Sequence, residues 1–209
     1  FFIQFLLLET PPVQTGKPGI MKLNATVYIL SAASFFHTLF INAYSTNVGI
    51  YILQTITKDT TVTGLATAVN AVFALLVGAT FAWISGLLKK YTVVSAIFSA
   101  AAGYGLMLIV PGMPGVYLGS AFCGISLSCF MAGCSMLISV SVEPEAVAKA
   151  SGVFSVIGGI GGLIAPVFMG NTATVLFGKN SPSSQFTVAF TGMLLLGLVM
   201  LAAVAKNKN

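Results

Sequence analysis

Six stretches of this chain are each long enough to cross a bilayer as a helix, and they carry almost no formal charge. They run approximately over residues 25–53, 62–88, 91–110, 115–142, 146–177 and 186–205, and only Lys149, close to one end, interrupts their neutrality. Hydrocarbon about 30 Å thick calls for roughly 20 apolar residues at a rise of about 1.5 Å each, so all six qualify. Transmembrane strands would instead show segments of about ten residues with strict alternation. The expected fold class is therefore an all-α membrane protein with six transmembrane helices, surrounded by a lipid bilayer.

Composition supports the same solvent. Charged residues make up 6% of the 209, against roughly 25% in water-soluble chains, and mean hydropathy is +1.00. A chain this apolar cannot clothe a folded surface with ionic groups, and it is not a disordered one. Three Cys rule out a disulfide scaffold. The net charge of +5 comes from nine Lys, with no Arg and no basic cluster, so no nucleic-acid partner is expected and the lysines read as membrane-surface anchors.

Short breaks with turn chemistry separate the stretches: Thr57-Lys58-Asp59-Thr60, Lys89-Lys90, Pro111-Gly112-Met113-Pro114, Glu143-Pro144-Glu145 and Lys179-Asn180-Ser181-Pro182. Consecutive helices joined this closely run antiparallel. Six crossings gather Lys17, Lys22, Lys89, Lys90, Lys149, Lys206 and Lys208 on one side and leave Lys58 and Lys179 on the other. The positive-inside rule makes the richer side cytoplasmic, with both ends of the block on it. The expected location is a cell membrane, of the bacterial inner-membrane kind.

The opening is too short to span. Residues 1–10 are apolar but stop at Glu9-Thr10-Pro11-Pro12, without the basic flank and cleavage site of a signal peptide. They read as the end of a truncated preceding span, followed by a cytoplasmic linker over 11–24, the bundle over 25–205 and a tail over 206–209. An interfacial N-terminal helix is the other reading. The bundle itself divides into two three-helix units offset by about 90 residues. Gly64 and Gly78 in the second stretch are matched by Gly152 and Pro166 in the fifth, and an odd number of helices per unit inverts one against the other.

Several local sequences carry a family resemblance. The second stretch opens on Gly64-Leu65-Ala66-Thr67-Ala68-Val69 and closes on Gly86-Leu87-Leu88-Lys89-Lys90-Tyr91. Glu143-Pro144-Glu145 leads into Lys149-Ala150-Ser151-Gly152, and the fifth stretch then holds Gly158, Gly159, Gly161, Gly162, Pro166 and Gly170. Together with Leu6-Leu7-Leu8-Glu9-Thr10-Pro11 and the linker, the chain resembles the C-terminal six-helix half of a major facilitator superfamily transporter. The cytoplasmic loop departs from the family pattern, because Leu88 stands where an acid usually precedes the basic residues. The resemblance implies a secondary transporter that moves a small solute by alternating access, partnered by a missing N-terminal six-helix half and needing no cofactor.

Charged groups are confined to the loops and helix ends, so this half supplies no carboxylate for a proton relay and no Arg to clamp an anion. His37 is the one readily titratable side chain at depth, roughly 18 Å into the first stretch. Tyr44 and Tyr51 follow on nearly its face, Asn47 lies about 80° round and Asn42 on the far side. Tyr44 and Asn70 sit at similar depth on neighbouring helices. Tyr44, Asn47, Asn70 and His37 are the candidate substrate-binding residues, with His37 a possible proton-linked switch; interhelical packing bonds are the alternative role for all four.

In the fifth stretch, Gly158 and Gly162 have small-xxx-small spacing and Pro166 removes a helical hydrogen bond, which marks a helix that either rocks or packs tightly. Cys123, Cys129 and Cys134 match no metal motif, and Trp83 reads as an interfacial anchor. Competing classes are an intramembrane enzyme, a channel and a non-transporting membrane scaffold. Gly124-Ile125-Ser126 with His37 evokes a serine dyad, but the histidine precedes the serine, unlike rhomboid-like proteases, and Ser128 replaces the following Gly. The Asn-Pro-Ala half-helices of aquaporins are missing from the sequence.

Overall fold

The computed structural model describes residues 23–206. The expected end of a preceding span over residues 1–10, the linker up to residue 22 and the tail beyond Lys206 lie outside the described residues. Those described form six α-helices: α1 Ala25–Thr55, α2 Thr60–Leu88, α3 Thr92–Ile109, α4 Met113–Ser141, α5 Val147–Phe177 and α6 Pro182–Lys206. No strand occurs among them. By length and apolarity five helical stretches qualify as membrane spans, the second of which, Thr60–Ile109, contains both α2 and α3 joined by the 3-10 turn Lys89–Tyr91.

Side-chain contacts show that this stretch folds back on itself. The Asn70 Nδ2 group donates to the Ser120 carbonyl and Gly78 approaches Ser128, so α2 runs parallel to α4. Ser99 Oγ donates to the Phe122 carbonyl, and the Cys129 thiol faces the Thr92 carbonyl, so α3 runs antiparallel to α4. The reversal occurs at Lys89, whose φ of 50° and ψ of −123° take the chain out of the helical region. Such a φ is uncommon outside glycine. The same reasoning sets α1 antiparallel to α4 through Asn24 with Ser141 and His37 with Ser126, and antiparallel to α6 through Asn47 with Gln185 and Phe40 with Gly192. Gly158 against Ser34 and Gly162 against Thr38 make α5 parallel to α1. Successive helices therefore alternate in direction.

Local chemistry sets the ends. Asp59 caps α2 by accepting from the Thr61 N–H at 2.9 Å, and Gly178, at φ 69°, closes α5 with a bond from its N–H to the Thr174 carbonyl. Helix α6 starts four residues earlier than the apolar pattern suggests. Pro182 occupies its first turn, where no N–H is needed, and Ser181 Oγ accepts from the Ser184 N–H. Hydroxyls inside the helices back-bond to their own turns, as Thr46 does to the Asn42 carbonyl and Thr80 to that of Leu76. This satisfies polar groups where lipid offers no partner.

Helices α1 and α4 form the enclosed centre, with thirteen buried residues on each. α3 and α6 back them on one side. Opposite lie α2, which buries only Ala66 and Val77, and α5.

Candidate functional site

His37 is sealed inside the bundle, 1% exposed. Its Nε2 lies 3.0 Å from Oγ of Ser126, itself 0% exposed, and its ring stacks on Phe130 with centroids 3.9 Å apart. The pair crosses from α1 to α4 at mid-bundle. The sequence paired these two residues only as an imagined serine dyad, and the structure brings them together as an interhelical hydrogen bond.

The other candidates also make interhelical bonds. The Tyr44 hydroxyl donates to the Ala66 carbonyl at 3.3 Å, and Asn70 Nδ2 to the Ser120 carbonyl at 3.0 Å. Asn70 is half-buried and Tyr44 buried. Asn47 begins a polar chain: its Nδ2 donates to Gln185 Oε1 at 2.9 Å, and Gln185 Nε2 donates to Asn180 Oδ1 at 2.6 Å. Three elements, α1, α6 and the turn before α6, are thereby tied at one end of the bundle.

Tyr104 does something different. Its hydroxyl accepts from the Tyr44 N–H at 3.1 Å and donates to the Phe40 carbonyl at 2.8 Å. In an α-helix those two backbone groups form one rung of the ladder, so a side chain from α3 docks on a single rung of α1.

An open seam runs between α2 and α5 along the outward face of α1 and α4. On α1 it presents Asn42, half-buried, with Ser45 and Thr46 exposed; on α4 it presents Met131 and Ser135, both exposed. Asn42 approaches Gly162 of α5, while Gly49, one turn on from Thr46, meets Thr63 of α2, which brackets the seam. Asn42 falls on the opposite face of α1 from His37, as its position in the sequence requires. Which of those two faces would be open was not readable.

The family sequence model described as Major Facilitator Superfamily matches residues 30–207. The chain belongs to the major facilitator superfamily. A search of curated proteins finds no match to it. Members of this superfamily are transporters rather than enzymes, which places the chain in a transporter-type membrane family. The His37–Ser126 pair is consistent with that class and not with a nucleophilic dyad: both side chains are buried, and Ser126 lies inside a continuous helix whose backbone N–H groups are already engaged and cannot form an oxyanion hole. Cys123, Cys129 and Cys134 are buried free thiols along α4, and no cluster of three potential metal ligands occurs among the described residues.

In this superfamily member α5 is continuous through Pro166, and its glycines form the contact with α1. Gly161 abuts the Phe35 carbonyl, Gly158 abuts Ser34, and a Cβ on Gly162 would lie 3.2 Å from Thr38 Cγ2. A side chain at Gly161 would push the two helices apart, because it would meet the backbone of α1.

Proposed function

We propose that the chain is one six-span lobe of a secondary transporter that carries a small neutral or weakly polar solute by alternating access. The carrying observation is a packing relationship repeated within the lobe. A Cβ on Gly105 of α3 would lie 3.2 Å from the Phe190 ring of α6, and one on Gly197 of α6 would lie 2.9 Å from the Phe98 ring of α3. Phe190 follows Phe98, and Gly197 follows Gly105, by the same interval (190 − 98 and 197 − 105, both 92). A second pair behaves alike: Gly161 of α5 abuts the Phe35 carbonyl of α1, and Gly124 of α4 abuts the Asn70 carbonyl of α2. An inverted repeat of two three-helix units generates such reciprocal contacts, and it is the architecture from which rocking carriers are built.

The seam supplies half a solute site. Asn42, Ser45 and Thr46, together with Ser135, offer hydroxyl and amide groups without formal charge, matching a neutral cargo. Asn70 contributes from the rim of α2. His37, Tyr44 and Asn47 act behind this face as bonds that hold α1 in place. Exposed small residues, Gly64, Ala68 and Ala71 on α2 and Gly152, Ser155 and Gly159 on α5, leave both flanks open to close approach by a second lobe. Gly158 and Gly162 serve as the contact on which α5 moves with α1, and Pro166 removes one hydrogen bond within α5. Lys89, Lys90, Lys149 and Lys206 lie at one end of the bundle and Lys58 and Lys179 at the other, which supports a cytoplasmic position for the first group in a cell membrane.

The test uses the full-length protein in proteoliposomes with a panel of neutral solutes. Spin labels on the exposed ends of α2 and α5 should report solute-dependent changes in distance to the other lobe. Thr46→Ala and Asn70→Ala should weaken solute binding more than they lower the melting temperature. Loss of stability with unchanged binding would return these residues to packing, and solute flux by residues 1–209 alone would end the half-transporter reading.

A further inference from the structure

Between α1 and α6 runs a groove of about 430 Å3, lined by apolar residues alone. Ile29, Ala32 and Phe36 form one wall and Leu195, Val199 and Met200 the other, with Phe40 closing the inner end. The equivalent surface between α3 and α4 is closely packed. There Gly103, Gly115 and Gly119 bring the two helices together, and a Cβ on Gly103 would already lie 3.0 Å from Cys123 Sγ. The groove therefore breaks the internal symmetry of the lobe, on the side of α1 turned away from the α2 and α4 contacts.

Its dimensions match one leaflet. From Ile29 to Phe40 the axis of α1 advances about 16 Å, half of a hydrocarbon core about 30 Å thick. Its outer end also carries charge. Leu195, Val199 and Lys206 fall on one stripe of α6 at helical spacing, and Lys206 lies about 10 Å beyond Val199, at the end of the helix and exposed. An apolar slot one leaflet deep, with a cation at its mouth, is complementary to an acyl chain joined to an anionic headgroup. A lysine stem is long enough to follow that surface while its ammonium stays in the headgroup layer.

We propose that this groove binds an acyl chain of an anionic phospholipid, whose phosphate is paired by Lys206. The site depends on the chain lying in a membrane and is independent of the solute pathway, so it stands or falls separately from the transporter reading. The test is native mass spectrometry of the full-length protein titrated with phosphatidylglycerol and with phosphatidylcholine of identical acyl chains. Phosphatidylglycerol should bind about fivefold more tightly, the worth of one lysine near a membrane surface. Lys206→Gln should abolish that preference and leave residual binding of both lipids. Ala32→Trp, and independently Leu195→Trp, should displace both lipids, because each fills the groove from an exposed position without entering the core; an unchanged melting temperature in detergent serves as the check on folding. Equal affinity for the two lipids in the unmodified protein, or full lipid binding in folded Ala32→Trp and Leu195→Trp variants, would overturn the proposal. So would a cross-link from a cysteine at position 199 to another segment of the protein with no lipid retained, which would assign the groove to protein.

Discussion

His37 and Ser126 face each other across the centre of the bundle, Nε2 to Oγ at 3.0 Å, with 89 residues of chain between them. The Phe35 and Gly124 contacts are separated by that same interval (124 − 35), the spacing expected of corresponding positions in the proposed inverted repeat. Ser126→Ala should cost about 1 kcal/mol in denaturant unfolding, within the range for a buried interhelical bond in lipid. Pairing it with His37→Leu should recover part of that loss by removing the orphaned ring nitrogen.

The same pair bears on coupling. His37 has Ser126 and Phe130 as its neighbours and no carboxylate partner in the bonds it makes, so His37→Gln should leave the pH profile of uptake unchanged in shape. A flattened profile would assign proton coupling to this residue.

Reciprocal glycine and phenylalanine packing makes a second forecast. Gly197→Ala would place a methyl group 2.9 Å from Phe98 and should destabilise by about 1–3 kcal/mol, the usual cost of overfilling a core. Adding Phe98→Leu should restore most of the melting temperature. Gly105→Ala, whose methyl group would lie 3.2 Å from the Phe190 ring, should be the milder lesion.

At the water-exposed start of α2, the bond from the Thr61 N–H holds the Asp59 carboxyl below the ordinary carboxylate range. A depressed pKa in the folded state stabilises the cap above the unfolded value, and that contribution disappears as pH falls through the folded one. Amide exchange in the first turn of α2 should therefore speed up only at pH below the usual aspartate titration. Asp59→Asn should keep the cap and lose the pH dependence.

Helix positions were legible because lipid imposes a length, and each apolar run had to be about one bilayer long. The ends were legible where turn residues carry a mechanism, as at Asp59. Helix α6 was misjudged at its start because Pro182, Ser183, Ser184 and Gln185 look like loop, although a serine followed by proline is itself a helix-opening signal. The interior of the site was harder. In lipid, outward and inward residues are equally apolar, so no hydrophobic contrast separates the buried face of α1, with His37 and Tyr44, from the open one, with Ser45 and Thr46. The groove against α6 and the meeting of His37 with Ser126 depend on how helices far apart in sequence lie together.

Tyr104→Phe removes the hydroxyl that stands between the Tyr44 N–H and the Phe40 carbonyl. The loss of this tie between α3 and α1 should lower stability by about 1 kcal/mol in denaturant unfolding. An unchanged unfolding midpoint would show that the hydroxyl contributes nothing to holding the two helices together.

A tyrosine hydroxyl lodged on one rung of α1 fastens that helix to α3 at the level of residues 40 and 44. Sliding one helix along the other would strand that hydroxyl in hydrocarbon with nothing to bond, so the two helices travel as one piece.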